Sequence, residues 1–361
     1  MKKTKLFGTL AVAAMVVGLA SCSGGEKDLV ILVPSADHGW TGAILSNARD
    51  YANELKESGD YEYNFVVQTS DGSEQMNQQM EDLVARKDTV AGVVTLPWDS
   101  SAKPGVEALA NANIPFVVVD RVITDSTIIK QSDYWVGDVR GNNEMIGELT
   151  AEYFIDHYDL KAGEDKILVV PGDNSSVPLA RDDGFQTALK EAGWTEDQIK
   201  AAWEQTPSTG WSRAEASKHF ISWLKAAYAE DNTLAGYRCV FTHDSECSMG
   251  ILEALVNPDS GLTEAEKTAF GTAVEVIASS SGLQEMYDVI KGQHERQAEF
   301  DKYVKNVDFF DVTYPPSMIK TGIDDMLTYL KDGTKIANHD HVVSVDVVDA
   351  DNVDKFYDLG F

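Results

Sequence analysis

The chain has 361 residues, 25% of them charged, and its 59 acidic side chains face only 30 basic ones, a formal net charge of −29. So acidic a body repels nucleic acid and anionic lipid surfaces, which excludes both as expected partners, and solubility alone accounts for the charge. The length exceeds one typical domain and suggests two.

At the start, Lys2, Lys3 and Lys5 form a basic region ahead of an apolar run from Leu6 to Ala20. A spanning helix needs about 20 residues, so this shorter run is read as the core of a signal peptide. It ends in Leu19-Ala20-Ser21-Cys22, which resembles a bacterial lipobox. On that reading residues 1–21 are a lipoprotein signal peptide, Cys22 carries the lipid, and residues 22–27 are a tether. The mature protein is then extracytoplasmic, in the periplasm or at the cell surface, and membrane-anchored only through Cys22.

Leu29 to Val33 is an unbroken apolar run bounded by charge and Pro34, the pattern of a buried strand. A helix over Thr41–Lys56 comes next, with Ile44, Ala48, Tyr51, Ala52 and Leu55 on one face. Then come Tyr63–Val67 (strand), Glu74–Arg86 (helix), Ala91–Leu96 (strand), Ala102–Ala112 (helix) and Phe116–Val119 (strand). A second series starts after Tyr134-Trp135-Val136-Gly137: helix Asn142–Tyr158, strand Lys166–Val170, helix Pro178–Ala192 and a short strand at Ile199–Trp203. Helix Arg213–Ala229, strand Cys239–Thr242, helix Ser245–Leu255 and strand Val274–Ala278 complete it, with Asn257–Gly271 read as a polar surface insertion. Val307–Val312, Met318–Leu330 and Val342–Val348 can complete either series. The predicted fold class is α/β: two doubly wound parallel sheets, each covered on both faces, forming two lobes. Cys239 and Cys247 are read as buried thiols, with a disulfide left open.

Open parallel sheets bind ligands at the carboxyl ends of their strands. The side chains just past the strand ends are Asp37, His38 and Trp40, then Asp120 and Arg121, then Arg181 on the next helix. Asp244, Ser280 and Tyr314 stand at the ends of the later strands, and Trp211 lies in a loop of the second series. Aromatic faces stack on the C–H surfaces of sugar rings, while carboxylates and guanidinium groups bind hydroxyls through charge-assisted hydrogen bonds. Several such groups must converge, because a polyol is costly to desolvate unless its hydroxyls are satisfied.

At these residues the chain resembles the ribose-type (type 1) periplasmic binding proteins, the sugar-binding components of ABC importers. The stretches that carry the likeness are Ala112-Asn113-Ile114-Pro115-Phe116-Val117-Val118-Val119-Asp120-Arg121, Ala180-Arg181-Asp182-Asp183-Gly184-Phe185, and Phe241-Thr242-His243-Asp244 running into Ser245–Gly250. The resemblance implies that Trp40 and Trp211 stack on a sugar, that Asp120, Arg121, Arg181 and Asp244 bind its hydroxyls, and that Tyr314 stands at a hinge. It also implies an ABC permease as partner and closure of two lobes, 28–136 with 315–341 and 137–314 with 342–361, over the ligand. Periplasmic binding proteins are a standard example of such closure. One departure stands out: Ser279-Ser280-Ser281 occupies the place where relatives carry an acid.

The same fold could instead present its closed form to a membrane receptor as a sensing module. No Gly-x-Ser-x-Gly, His-Glu-x-x-His or phosphate loop supports an enzyme. His339-Asp340-His341 reads as a polar turn, and Asp349, Asp351 and Asp354 lack the glycine and glutamate of a calcium loop. No cofactor, metal or catalytic residue is expected.

Overall fold

The computed structural model describes residues 26–35 and 39–361. Cys22, with the lipobox, and the site candidates Asp37 and His38 lie outside the described residues.

Twelve strands form two six-stranded sheets among the described residues. In chain order they are β1 (Lys27–Pro34), β2 (Tyr63–Ser70), β3 (Val90–Thr95), β4 (Phe116–Val119), β5 (Trp135–Gly141), β6 (Lys166–Val170), β7 (Trp203–Gln205), β8 (Tyr237–Thr242), β9 (Val276–Ser281), β10 (Asp308–Thr313), β11 (Asp340–Val343) and β12 (Val347–Val348). The first sheet runs β2-β1-β3-β4-β5-β11 and the second β7-β6-β8-β9-β10-β12. All pairs are parallel except β10 with β12. Alternation along β1 shows why its whole run is apolar. Leu29, Ile31 and Val33 pack into one cluster while Val30 and Leu32 pack into another on the opposite face. A sheet covered by helices on both faces leaves no side of its central strands to water. The fold is the α/β architecture expected from the sequence.

The chain passes between the sheets three times, after Gly141, after Thr313 and after Val343. The first and third passages fall a few residues beyond the divisions expected at 136/137 and 341/342. The reason is that β5 and β11 pair as whole strands, Asp340–Val343 running beside Asp138–Gly141.

Three local readings are corrected. Ile199–Trp203 is not a strand: helix Glu196–Ala202 ends there and β7 begins at Trp203. Thr195 and Gln198 form a capping box, and that start signal prevails over a short apolar run. Asn257–Gly271 is no mere surface insertion. It holds most of helix Glu264–Ala273, started by a Thr263/Glu266 capping box, whose Phe270 is buried edge-on against Phe220. Val342–Val348 is split between β11 and β12 on different sheets. Cys239 and Cys247 are free and buried.

Candidate ligand-binding site

Three helices of the second lobe start at strand ends and aim their N-termini at the space between the sheets. Asn142 caps helix Asn143–Tyr158 by accepting from Met145 N (3.1 Å), and Ser175 caps Ser176–Glu191 by accepting from Val177 N (3.3 Å). Asp244 caps Ser245–Val256 by accepting from Glu246 N (2.8 Å). The first two helices cross closely because Gly184 has no side chain: a Cβ there would lie 1.9 Å from the Glu144 carbonyl oxygen. That approach sets Arg181 beside Asn143.

Arg181 is only 2% exposed. Its Nε donates to Asn143 Oδ1 (3.0 Å), and its Nη1 donates both to Ser280 Oγ (2.7 Å) and to the His243 carbonyl. The guanidinium also lies 4.8 Å over the Tyr314 ring and 5.7 Å from that of Trp211. Nη2 has no hydrogen-bond partner among the described residues. Burial lowers the affinity of this guanidinium for its proton, opposed by the surrounding Tyr314, Asp244, Asp120 and Asp311.

Asp120 comes directly after β4 in a left-handed conformation (φ 65°), which Asp tolerates better than most residues. Its Oδ1 accepts from the Tyr314 hydroxyl, and its Oδ2 lies 3.7 Å from Arg121 Nε. Burial pushes its carboxyl upward while Arg121 holds it down. Arg121 Nη1 donates to the carbonyls of Pro97 and Trp98. Tyr314 stands on the second passage between sheets, where Gly141 makes room: a Cβ there would lie 2.0 Å from the tyrosine ring. Its hydroxyl accepts from Asn143 Nδ2 (3.2 Å), its carbonyl accepts from Trp40 Nε1 (2.8 Å), and the two rings lie 5.4 Å apart. Burial drives its phenol well above the ordinary range. Burial likewise pushes the Asp244 carboxyl up to about 8.

Trp40, Asp120, Arg121, Arg181, Trp211, Asp244 and Tyr314, all read from the sequence, converge with Val177 on one small, tightly lined space between the sheets. Ser280 does not line it; its hydroxyl lies behind Arg181, accepting from that side chain and donating to the His243 carbonyl (3.1 Å). Sequence reasoning misses Asn143 and Asp311. Asp311 is paired in register with Ser279 and, like Ser280, does not line the space itself. It accepts from Ser245 Oγ (2.5 Å), Ser279 Oγ (2.7 Å) and Gly282 N (3.0 Å). Its signal is an acid inside the apolar run Phe309-Phe310-Asp311-Val312.

The periplasmic binding protein domain model matches residues 29–333. The chain belongs to the periplasmic binding protein family. Solved structures of this fold include a galactofuranose binding protein, 18% identical with a TM-score of 0.69 over 92% of this chain and all of that one. An ABC transporter solute binding protein from Bacillus halodurans C-125 with bound myo-inositol is 16% identical, with a TM-score of 0.67 over 94% of this chain and 99% of that one. The periplasmic component of the arabinose ABC transporter from Shewanella sp. ANA-3, bound to L-arabinofuranose, is 16% identical, with a TM-score of 0.68 over 92% of this chain and 95% of that one. At these identities the likeness is one of fold. Among curated proteins no sequence matches the chain significantly. No helix of the described residues of this periplasmic binding protein is long and apolar enough to cross a membrane.

Proposed function

We propose that this periplasmic binding protein captures a neutral monosaccharide or related polyol between its lobes and delivers it to an ABC import permease, without catalysing a reaction. It works outside the cytoplasm, held to the membrane by lipid on Cys22. The observation that carries the reading is the convergence of two indoles, a phenol, two arginines and two carboxyl groups on one interlobe space. Trp40 and Trp211 offer ring faces, Arg181 donates from Nη2, and Asp120 accepts hydroxyl protons. Asp244, kept protonated by burial at neutral pH, donates as well as accepts. Ser280 acts through Arg181. A ligand that touches both lobes favours the closed state by its differential contacts.

The first test is a thermal-shift screen of the mature, unlipidated protein against pentoses, hexoses, inositols and their phosphates. A ligand at a hundred times its Kd stabilises the fold by about 2.7 kcal/mol. A clear shift with one sugar, lost in Arg181→Ala, is the expected result; no shift across the panel would remove the sugar assignment.

A further inference from the structure

The cleft continues outward from the inner space. A second concavity, about 390 Å³, opens beside it, and Arg121 and Trp211 line both. Its walls come from both lobes: Trp98 and Asp99 from the loop after β3, Asp173 and Asn174 from the loop after β6. We propose that this outer space is a second sugar-ring subsite, so that the cargo is a neutral two-ring glycoside whose inner ring occupies the space around Arg181. The inference rests on the function proposed above and narrows its substrate class.

Trp211 supplies the first observation. A bulky residue at φ 64° is a backbone outlier, and such strain persists only where the surroundings enforce it. Its indole N–H is buried, with the side chain over nine-tenths covered, and has no hydrogen-bond partner among the described residues. An unmet donor of that kind is costly in a finished structure and is relieved by a ligand oxygen. The six-membered edge of the ring lies against Gly172, so the N–H edge faces the other way. Trp211 thus stands at the junction of the two spaces, where a glycosidic linkage would pass.

Trp98 supplies the second. It packs in part against the first lobe's core and shows the rest of its side chain to the concavity beside Asp99, with no aromatic partner among the described residues. An indole face so placed is a stacking platform for a sugar ring.

Charge then selects the occupant. Asp99 and Asp173 line the space against the one guanidinium of Arg121, which already donates to two carbonyls. Asp173 Oδ1 accepts from Ser175 N (2.8 Å), leaving its second oxygen for a hydroxyl. Two carboxylates repel a phosphate or uronate and welcome hydroxyl donors, so a neutral ring fits and a sugar phosphate does not. Asn174, on the exposed rim, has a side-chain amide without a partner among the described residues.

The test is titration calorimetry of the mature chain with galactose against lactose and melibiose, and with glucose against maltose and cellobiose, repeated in Trp98→Ala and Asn174→Ala. At least one disaccharide should bind about tenfold more tightly than its matching monosaccharide. Trp98→Ala should erase that advantage and leave the monosaccharide affinity within about twofold, and Asn174→Ala should reduce it in part. If monosaccharides bind but every disaccharide binds more weakly, or if Trp98→Ala weakens both alike, the outer space is only an entrance; the proposed function then stands and this inference falls. If no saccharide of either size binds, both fall.

Discussion

Asp311 lets burial be weighed against hydrogen bonding inside one lobe. It is fully buried on β10 and accepts from Ser245, Ser279 and the Gly282 amide, yet burial still raises its carboxyl to about 6 from the ordinary 3.8. The folded midpoint lies above the unfolded one. Stability from this group is therefore fully present below about pH 4 and is lost as pH rises through about 6. A difference of about two pH units amounts to about 3 kcal/mol. Asp311→Asn preserves the shape and cannot ionise. Urea unfolding of both proteins from pH 4 to pH 8 should show the stability difference moving in the variant's favour by about 2.5 kcal/mol, whatever constant offset the amide's donor introduces. A difference flat within about 0.5 kcal/mol, or one moving the other way, would refute the reasoning. The three hydrogen bonds and Arg181 would then outweigh burial.

Two further substitutions test the scaffold. Gly184→Ala forces a methyl onto the Glu144 carbonyl, so it should cost about 1–3 kcal/mol in denaturant unfolding and weaken ligand binding by parting Arg181 from Asn143; wild-type values for both would contradict the packing argument. Tyr314→Phe removes the hydroxyl that donates to Asp120 and accepts from Asn143. It should lower stability by about 1–3 kcal/mol, and no loss in the same assay would mean that these groups find other partners.

The strands and most of the candidate site are legible in the sequence because both obey simple placement rules. Five apolar residues from Leu29 to Val33 identify β1, and side chains just past strand ends point to the cleft, which finds Trp40, Asp120, Arg181, Asp244 and Tyr314. That rule cannot tell which way a residue turns. It marks Ser280 as a ligand contact, yet the hydroxyl is held between Arg181 and the His243 carbonyl. It passes over Asn143 because an Asn at a helix start reads as a cap; Asn142 does the capping while Asn143 braces Arg181. Asp311 lies inside a run whose apolarity hides it. The capping boxes at Thr195 and Thr263 are present in the sequence, but short apolar pairs and polar composition mask them there.

The most direct measurement is calorimetric titration of the mature protein with the best sugar from the thermal screen, alongside Asp120→Asn and Arg181→Ala. Capture between the lobes predicts one site per chain and losses of about thirtyfold or more in both variants, since each loses a buried charged partner worth about 2 kcal/mol or more. Unchanged affinity in both, with the fold intact, would place the ligand elsewhere and contradict the interlobe site.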